Sequence, residues 1–178
     1  MHVTTVIFMT KHEFRIESLK IRKMFHPIEQ KNLTNDISDK LQSHPLFIKS
    51  THVGLYYPIQ NEPNLLELIS LYPEKVFYLP NVENNTLVYR MIDSLDKLED
   101  APFGTKQVSK SNQSIDDCEL YLIPCVGTSG LLRIGYGKGY FDAYLKDKTG
   151  YKLGITYPMF KTKGINKEAH DILLDEVL

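Results

Sequence analysis

Residues 119–145 read "ELYLIPCVGTSGLLRIGYGKGYFDAYL". The first eight, "ELYLIPCV" (119–126), form a nearly continuous apolar run. Such a run predicts a strand buried on both faces, as in a parallel sheet. Three glycines then alternate with other residues at 135, 137 and 139, with Lys138 among them. "GYFDAYLKD" (139–147) follows with helical character. The glycine-rich segment therefore sits between a buried strand and a helix. In an open α/β sheet that is the carboxyl end of the strands, where ligands bind.

The flanking sequence agrees. Thr10-Lys11-His12-Glu13 has the form of a capping box, so a helix is expected to begin at Lys11 and run to about Phe25, just before Pro27. Phe14, Ile21, Met24 and Phe25 fall on one stripe at helical spacing. Lys11, Arg15 and Arg22 lie beside it at intervals of four and seven. A second helix is expected over 28–43, a strand over "HVGLYYP" (52–58) and a short helix over "PNLLELISLYP" (63–73) with proline in its first turn. "KVFYLP" (75–80), "TLVYRMI" (86–92) and "YKLGITYP" (151–158) read as strands. This alternation predicts an α/β fold: a single three-layer domain with a mostly parallel sheet flanked by helices. Met9 directly precedes the capping box and is a candidate start. Residues 1–8 then form an upstream extension of one domain spanning 1–178.

Composition narrows the function. The chain has 178 residues, 42% hydrophobic and 24% charged, with a net charge of −1. That balance excludes a broad basic face for nucleic acid, so any anion must be held by a local cluster. Cys118 and Cys125 form neither a disulfide framework nor a zinc pattern, which fits a reducing compartment. The six histidines are scattered, without metal-ligand spacing. No apolar run is long enough for a membrane span, and the first residues lack a basic leader and a cleavage site. A cytoplasmic monomer acting on a small molecule is expected, with neither nucleic acid nor membrane as partner.

Glycine without a Cβ lets a ligand approach the backbone closely, and successive N–H groups in such a loop can cradle an anion. Lys138 adds a positive charge, Asp142 a carboxylate for a magnesium ion, and Tyr140 and Phe141 faces for a flat heterocycle. The pattern is neither G-x-x-x-x-G-K-[ST] nor G-x-G-x-x-G, so spacing alone leaves a tight turn equally open. On charge pattern alone, Lys11, Arg15 and Arg22 read as a solvated helix edge. Glu62 reads as a loop carboxylate ahead of a helix, Asp171 as a surface acid and Cys125 as a small buried hydrophobe.

Taken together, the segments resemble the 5-formyltetrahydrofolate cyclo-ligase family. "RIGYGKGYFDAYL" (133–145) is the specific match. "KHEFR" (11–15), "YYPIQNE" (56–62) and "HDILLDEVL" (170–178) agree in order and spacing. "PCVGTSGLLR" (124–133) departs from the family's pattern: Cys125 follows Pro124, Ser129 stands near an expected aspartate, and one residue is missing. Phe141 stands where tyrosine is common. The resemblance implies an enzyme that uses ATP and Mg²⁺ to convert 5-formyltetrahydrofolate to 5,10-methenyltetrahydrofolate. It implies that Lys11, Arg15, Arg133 and Lys138 hold phosphates, and that the loop from Ile134 through Gly135, Tyr136, Gly137 and Gly139 to Tyr140 and Phe141 surrounds the nucleotide. Tyr57, Glu62 and Tyr140 would meet the folate along with residues 136–139. Lys138, Arg133 and Tyr140 would serve catalysis, and Asp142 and Asp171 the metal. Two other readings are a sugar-phosphate isomerase of similar architecture and a non-catalytic folate- or nucleotide-binding protein.

Overall fold

The capping box does start the first helix. Thr10 Oγ1 accepts from the Glu13 N–H at 3.2 Å, and the Glu13 carboxylate accepts from the Thr10 N–H at 2.8 Å. Helix α1 spans Lys11–Lys23. The computed structural model describes residues 9–178, so the expectation for residues 1–8 lies outside the described residues. Helices α2 (Pro27–Gln42) and α3 (Pro45–Lys49) both begin at proline. His26 and His44 cap them, each imidazole accepting from the N–H two residues on. Proline suits the first helical position because its missing N–H would have no intrahelical acceptor there.

Strand β1 (His52–Gly54), helix α4 (Leu68–Leu71) and strands β2 (Val76–Glu83) and β3 (Thr86–Met91) follow. Strands β4 (Glu99–Ala101) and β5 (Thr105–Gln107) form a small separate ribbon. Then come β6 (Ser114–Ile115), β7 (Leu120–Pro124), β8 (Gly127–Ser129) and β9 (Leu132–Ile134). Helix α5 (Tyr140–Leu145), β10 (Tyr151–Ile155), β11 (Lys161–Thr162) and β12 (Glu176–Val177) complete the chain.

The main sheet has seven strands in the order β12-β10-β7-β1-β2-β3-β6. Pairing is parallel from β12 to β2 and antiparallel at β3 and β6. Strands β8, β9 and β11 form a second sheet beside the carboxyl end of β7. The expected α/β class with a mostly parallel sheet is therefore observed. Strand β7 shows why: all five of its residues are buried. Leu120 and Leu122 face one apolar cluster with Val53, Leu55, Phe47 and helix residues Ile37 and Leu41. Tyr121 and Ile123 face the other, with Leu145 of α5 and Leu174. A strand apolar on both sides requires a helical layer on each.

Several boundaries differ from expectation. The strand expected over 52–58 stops at Gly54, although the Leu55 N–H still reaches Tyr78 O at 2.7 Å. Pro58 cannot donate to a ladder, and Gln60 and Asn61 turn the chain with φ of 46° and 58°. The helix expected over 63–73 shrinks to α4, because Asn64 Oδ1 captures the Leu66 N–H and competes with helix formation. On α1, Ile21 and Met24 of the expected apolar stripe are exposed, whereas Ser18 and Arg22 are buried. Apart from β1, the two- and three-residue strands carry no periodic signal, and none of those was expected.

Leu122→Ala should destabilise the fold by about 3 kcal/mol, the scale for truncating a leucine in a packed core. Urea unfolding of both proteins would read this as a lower midpoint at unchanged slope.

Candidate active site

The parallel strands divide at β7. Chain order runs from β1 outward through β2 and β3 on one side, then returns to β7 and continues through β10 and β12 on the other. Between the carboxyl ends of β1 and β7 the connections diverge, leaving a crevice at the sheet's switch point. A cavity of about 1050 Å³ opens there. It is lined by the residues after β1 (Tyr56, Tyr57, Gln60, Glu62), by Pro124 at the end of β7, and by Arg133 with the whole loop from Ile134 to Asp142. Lys11 and Arg15 of α1 and Glu168, His170 and Asp171 of the C-terminal segment close it. Every site residue named from the sequence thus lines one cavity.

The glycines have distinct reasons to be glycine. Gly137 and Gly139 hold φ of 89° and 71°, a left-handed backbone that side chains disfavour. At Gly135 a Cβ would stand 2.4 Å from the Arg133 guanidinium, so this glycine admits the arginine beneath the loop. Arg133 is buried and donates from Nε to Pro124 O at 3.0 Å. Its guanidinium faces the Phe141 ring at 4.7 Å, and Nη1 lies 3.7 Å from Asp142 Oδ2. Arg15 Nε donates to Gly135 O at 2.6 Å, fastening α1 to the loop. Lys138 is exposed at the loop's crest, on the cavity wall.

The acid that reads from local sequence as a surface group is instead buried. Asp171 is 8% exposed. It pairs with Lys11 Nζ and accepts from the Glu168 N–H at 2.6 Å. Burial works against its charge, but these donors hold its carboxyl below the usual carboxylate range. Asp142 Oδ1 accepts from the N–H of Ile172, the residue after Asp171, at 3.3 Å. Asp142 is thus anchored to the segment that carries Asp171, and ligand atoms of Glu168, His170 and Asp171 lie within 4.8 Å of one another. Carboxylate oxygens that leave room for water and phosphate suit a hard cation such as Mg²⁺.

Glu62 is 2% exposed. Its oxygens accept from the Ile59 N–H at 3.0 Å and from the Tyr136 hydroxyl at 3.0 Å. Burial raises its carboxyl above the usual range, against the pull of the Ile59 N–H, Arg22 and Tyr136. Burial and the Glu62 charge together push the Tyr136 phenol up. Cys125 is fully buried, its thiol pushed up to about 11, which suits packing rather than nucleophilic attack.

Arg22 was read from the sequence as part of a solvated edge; the structure overturns this, with none of it exposed. Its Nη2 donates to Cys125 O and Val126 O at 2.9 and 3.0 Å. The spacing from Lys11 and Arg15 puts it on the same side of α1, but only packing turns that side inward. Glu168 and His170 were not among the expected site residues, although His170 opens the segment 170–178. A second groove, of about 410 Å³, lies between α1 and the segment 159–165 and holds none of these residues.

The sequence model of the 5-formyltetrahydrofolate cyclo-ligase family matches residues 8–178. A protein of Mycoplasma genitalium named 5-formyltetrahydrofolate cyclo-ligase is 27% identical over 175 residues, covering 94% of this chain and 96% of that protein. The structure of Aquifex aeolicus 5,10-methenyltetrahydrofolate synthetase superposes with a TM-score of 0.84 at 30% identity, over 94% of this chain and 88% of the other. A Mycoplasma pneumoniae 5,10-methenyltetrahydrofolate synthetase shares the fold at a TM-score of 0.75 and 23% identity, over 94% and 96% of the two chains. Matching over nearly its whole length, with the glycine loop set at the switch point of the shared fold, the chain belongs to the 5-formyltetrahydrofolate cyclo-ligase family of enzymes.

Proposed function

We propose that the chain, as a single-domain cytoplasmic monomer, converts 5-formyltetrahydrofolate and ATP to 5,10-methenyltetrahydrofolate, ADP and phosphate. The observation that carries this reading is the meeting, in one cavity, of the glycine loop, the α1 cations, two carboxylates and a buried glutamate. Its volume is at the top of the range for small-molecule sites, as two ligands side by side require.

The chemistry explains the parts. A formamide oxygen is a poor leaving group. Transfer of the γ-phosphoryl group breaks its bond to the β–γ bridging oxygen and forms one to the formyl oxygen. N10 then attacks the formyl carbon and loses its proton, the ring closes, and the carbon–oxygen bond breaks with its electron pair leaving on phosphate. Phosphoryl transfer demands positioning and charge neutralisation more than covalent help from the protein. Lys11, Arg15 and Lys138 hold phosphates, and Arg133 adds its charge beneath the loop. Gly135, Gly137 and Gly139 bring main-chain donors to the transferring group, with Ile134, Tyr136 and Phe141 framing the nucleotide. Asp142 and Asp171 would hold Mg²⁺, which would supply positive charge beside the phosphates. Lys11 then exchanges Asp171 for phosphate. Tyr57, Tyr140 and Glu62 contact the folate, Glu62 accepting from the N–H donors of its heterocycle.

Mixing purified protein with 5-formyltetrahydrofolate, Mg²⁺ and ATP should raise the near-ultraviolet absorbance of the conjugated methenyl product. A folded protein that binds both ligands without this signal would overturn the reading. Lys138→Ala should lower turnover by about a hundredfold or more, the scale for losing a preorganised contact to developing charge; an unchanged rate removes Lys138 from the mechanism. Asp142→Asn should shift the Mg²⁺ titration of the rate to higher concentration, and an identical titration would contradict its role as a ligand.

A further inference from the structure

Arg22 lies outside the cavity wall, yet it touches what holds that wall in place. Nη2 engages the two carbonyls after β7, and Nη1 donates to the Tyr136 hydroxyl at 3.3 Å and lies 4.0 Å from Glu62 Oε1. Tyr136 passes the contact on by donating to the same Glu62 oxygen. The backbone of Arg22 acts as well: its carbonyl accepts from Asn61 Nδ2 at 3.0 Å. Asn61 and Gln60 are the left-handed pair that aims Glu62, a conformation that persists only where neighbours enforce it. One residue of α1 thus grips the turn bearing Glu62, the Glu62 carboxylate and the glycine loop. The rings of Phe160 and Tyr157, at 5.4 and 6.0 Å, cover its guanidinium.

We propose that Arg22 is a positioning residue for the heterocycle of the substrate: it fixes Glu62 and Tyr136 in one orientation as a buried Arg22–Tyr136–Glu62 unit. The inference rests on the reading of Glu62 as a folate contact. Its chemistry is specific to arginine. A lysine keeps the charge but lacks the planar fork that serves carbonyls with one nitrogen and a phenol and carboxylate with the other. The charged and titratable groups facing Glu62 are Arg22 from α1, Arg133 from β9, Tyr136 from the glycine loop, Tyr56 after β1, Cys125 after β7 and Tyr157 after β10. Of these, Arg22 and Arg133 favour the carboxylate by charge and Tyr136 by its hydrogen bond. Removing Arg22 therefore makes Glu62 protonate at higher pH, and the acid limb of the kcat/KM profile moves upward.

The test is steady-state kinetics of Arg22→Met, Arg22→Lys, Tyr136→Phe and Glu62→Gln, varying 5-formyltetrahydrofolate and ATP in turn across pH. Arg22→Met should raise KM for 5-formyltetrahydrofolate about tenfold, since unpairing a buried charge weakens what it positions. KM for ATP should stay within about twofold, and the acid limb should rise by about one pH unit, the scale of losing an adjacent opposite charge. Arg22→Lys should restore the limb but not KM. A purely structural role would move both KM values or neither, without shifting the limb, and either result overturns the proposal. If Arg22→Met does not fold, Tyr136→Phe reads the same unit by deleting only the bridging hydroxyl; an unchanged KM and limb there overturns it equally. Glu62→Gln separates the two levels. If it raises KM for 5-formyltetrahydrofolate while the arginine and tyrosine variants match the parent, only this inference falls. If it leaves that KM unchanged, the folate role of Glu62 falls with it.

Discussion

Three successive carbonyl oxygens at the end of β7 are held by two buried guanidinium groups. Arg133 serves Pro124 O, and Arg22 serves Cys125 O and Val126 O. A strand buried on both faces must leave the sheet somewhere, and its last carbonyls are then stranded in the interior, where an unmet acceptor costs about 1–3 kcal/mol. Arg22 comes from α1, far away along the chain, whereas Arg133 comes from β9, in the hairpin that directly follows β7. Satisfying the end of the central strand therefore draws those two segments to the same point. The cavity is what remains between them.

This arrangement also sets the electrostatics. Lys11 faces Asp171 and Glu168, Arg133 faces Asp142, and Arg22 faces Glu62. Buried charges persist only when paired and hydrogen-bonded, so each of these three cations comes with an anion. The pairs differ in depth. Arg22 lies outside the cavity and backs Glu62, which is almost fully buried in its wall, whereas Lys11 and Asp171 pair with each other on the cavity side.

Elements with strong local codes were legible in the sequence. The capping box placed the start of α1 and the apolar run the central strand; the second helix was expected over 28–43 and spans Pro27–Gln42, whereas the short α3 was not expected. The glycine loop pointed to the site because its chemistry is contiguous. Elements whose stability comes from partners were not legible: the three strands beside β7, the ribbon of β4 and β5, and β12 are too short to show a period. The stripe assigned to α1 held only in part, Phe14 and Phe25 packing on the core while Ile21 and Met24 are exposed, for a related reason. Helical spacing shows which residues share a face but not which face turns inward, and here the inward one carries an arginine.

By itself the sequence determined the α/β class, the central buried strand, the carboxyl-end position of the glycine loop and the family. Those rest on local pattern: apolar runs, caps and positions that favour glycine. Only the tertiary structure decided that Arg22 is interior, that Glu62 and Asp171 are buried, and that Asp142 and Asp171 share one wall of the cavity. A charged side chain enters the interior only where distant segments supply its hydrogen bonds, and which segments meet is settled by the crossing of the sheet at β7 rather than by any spacing along the chain.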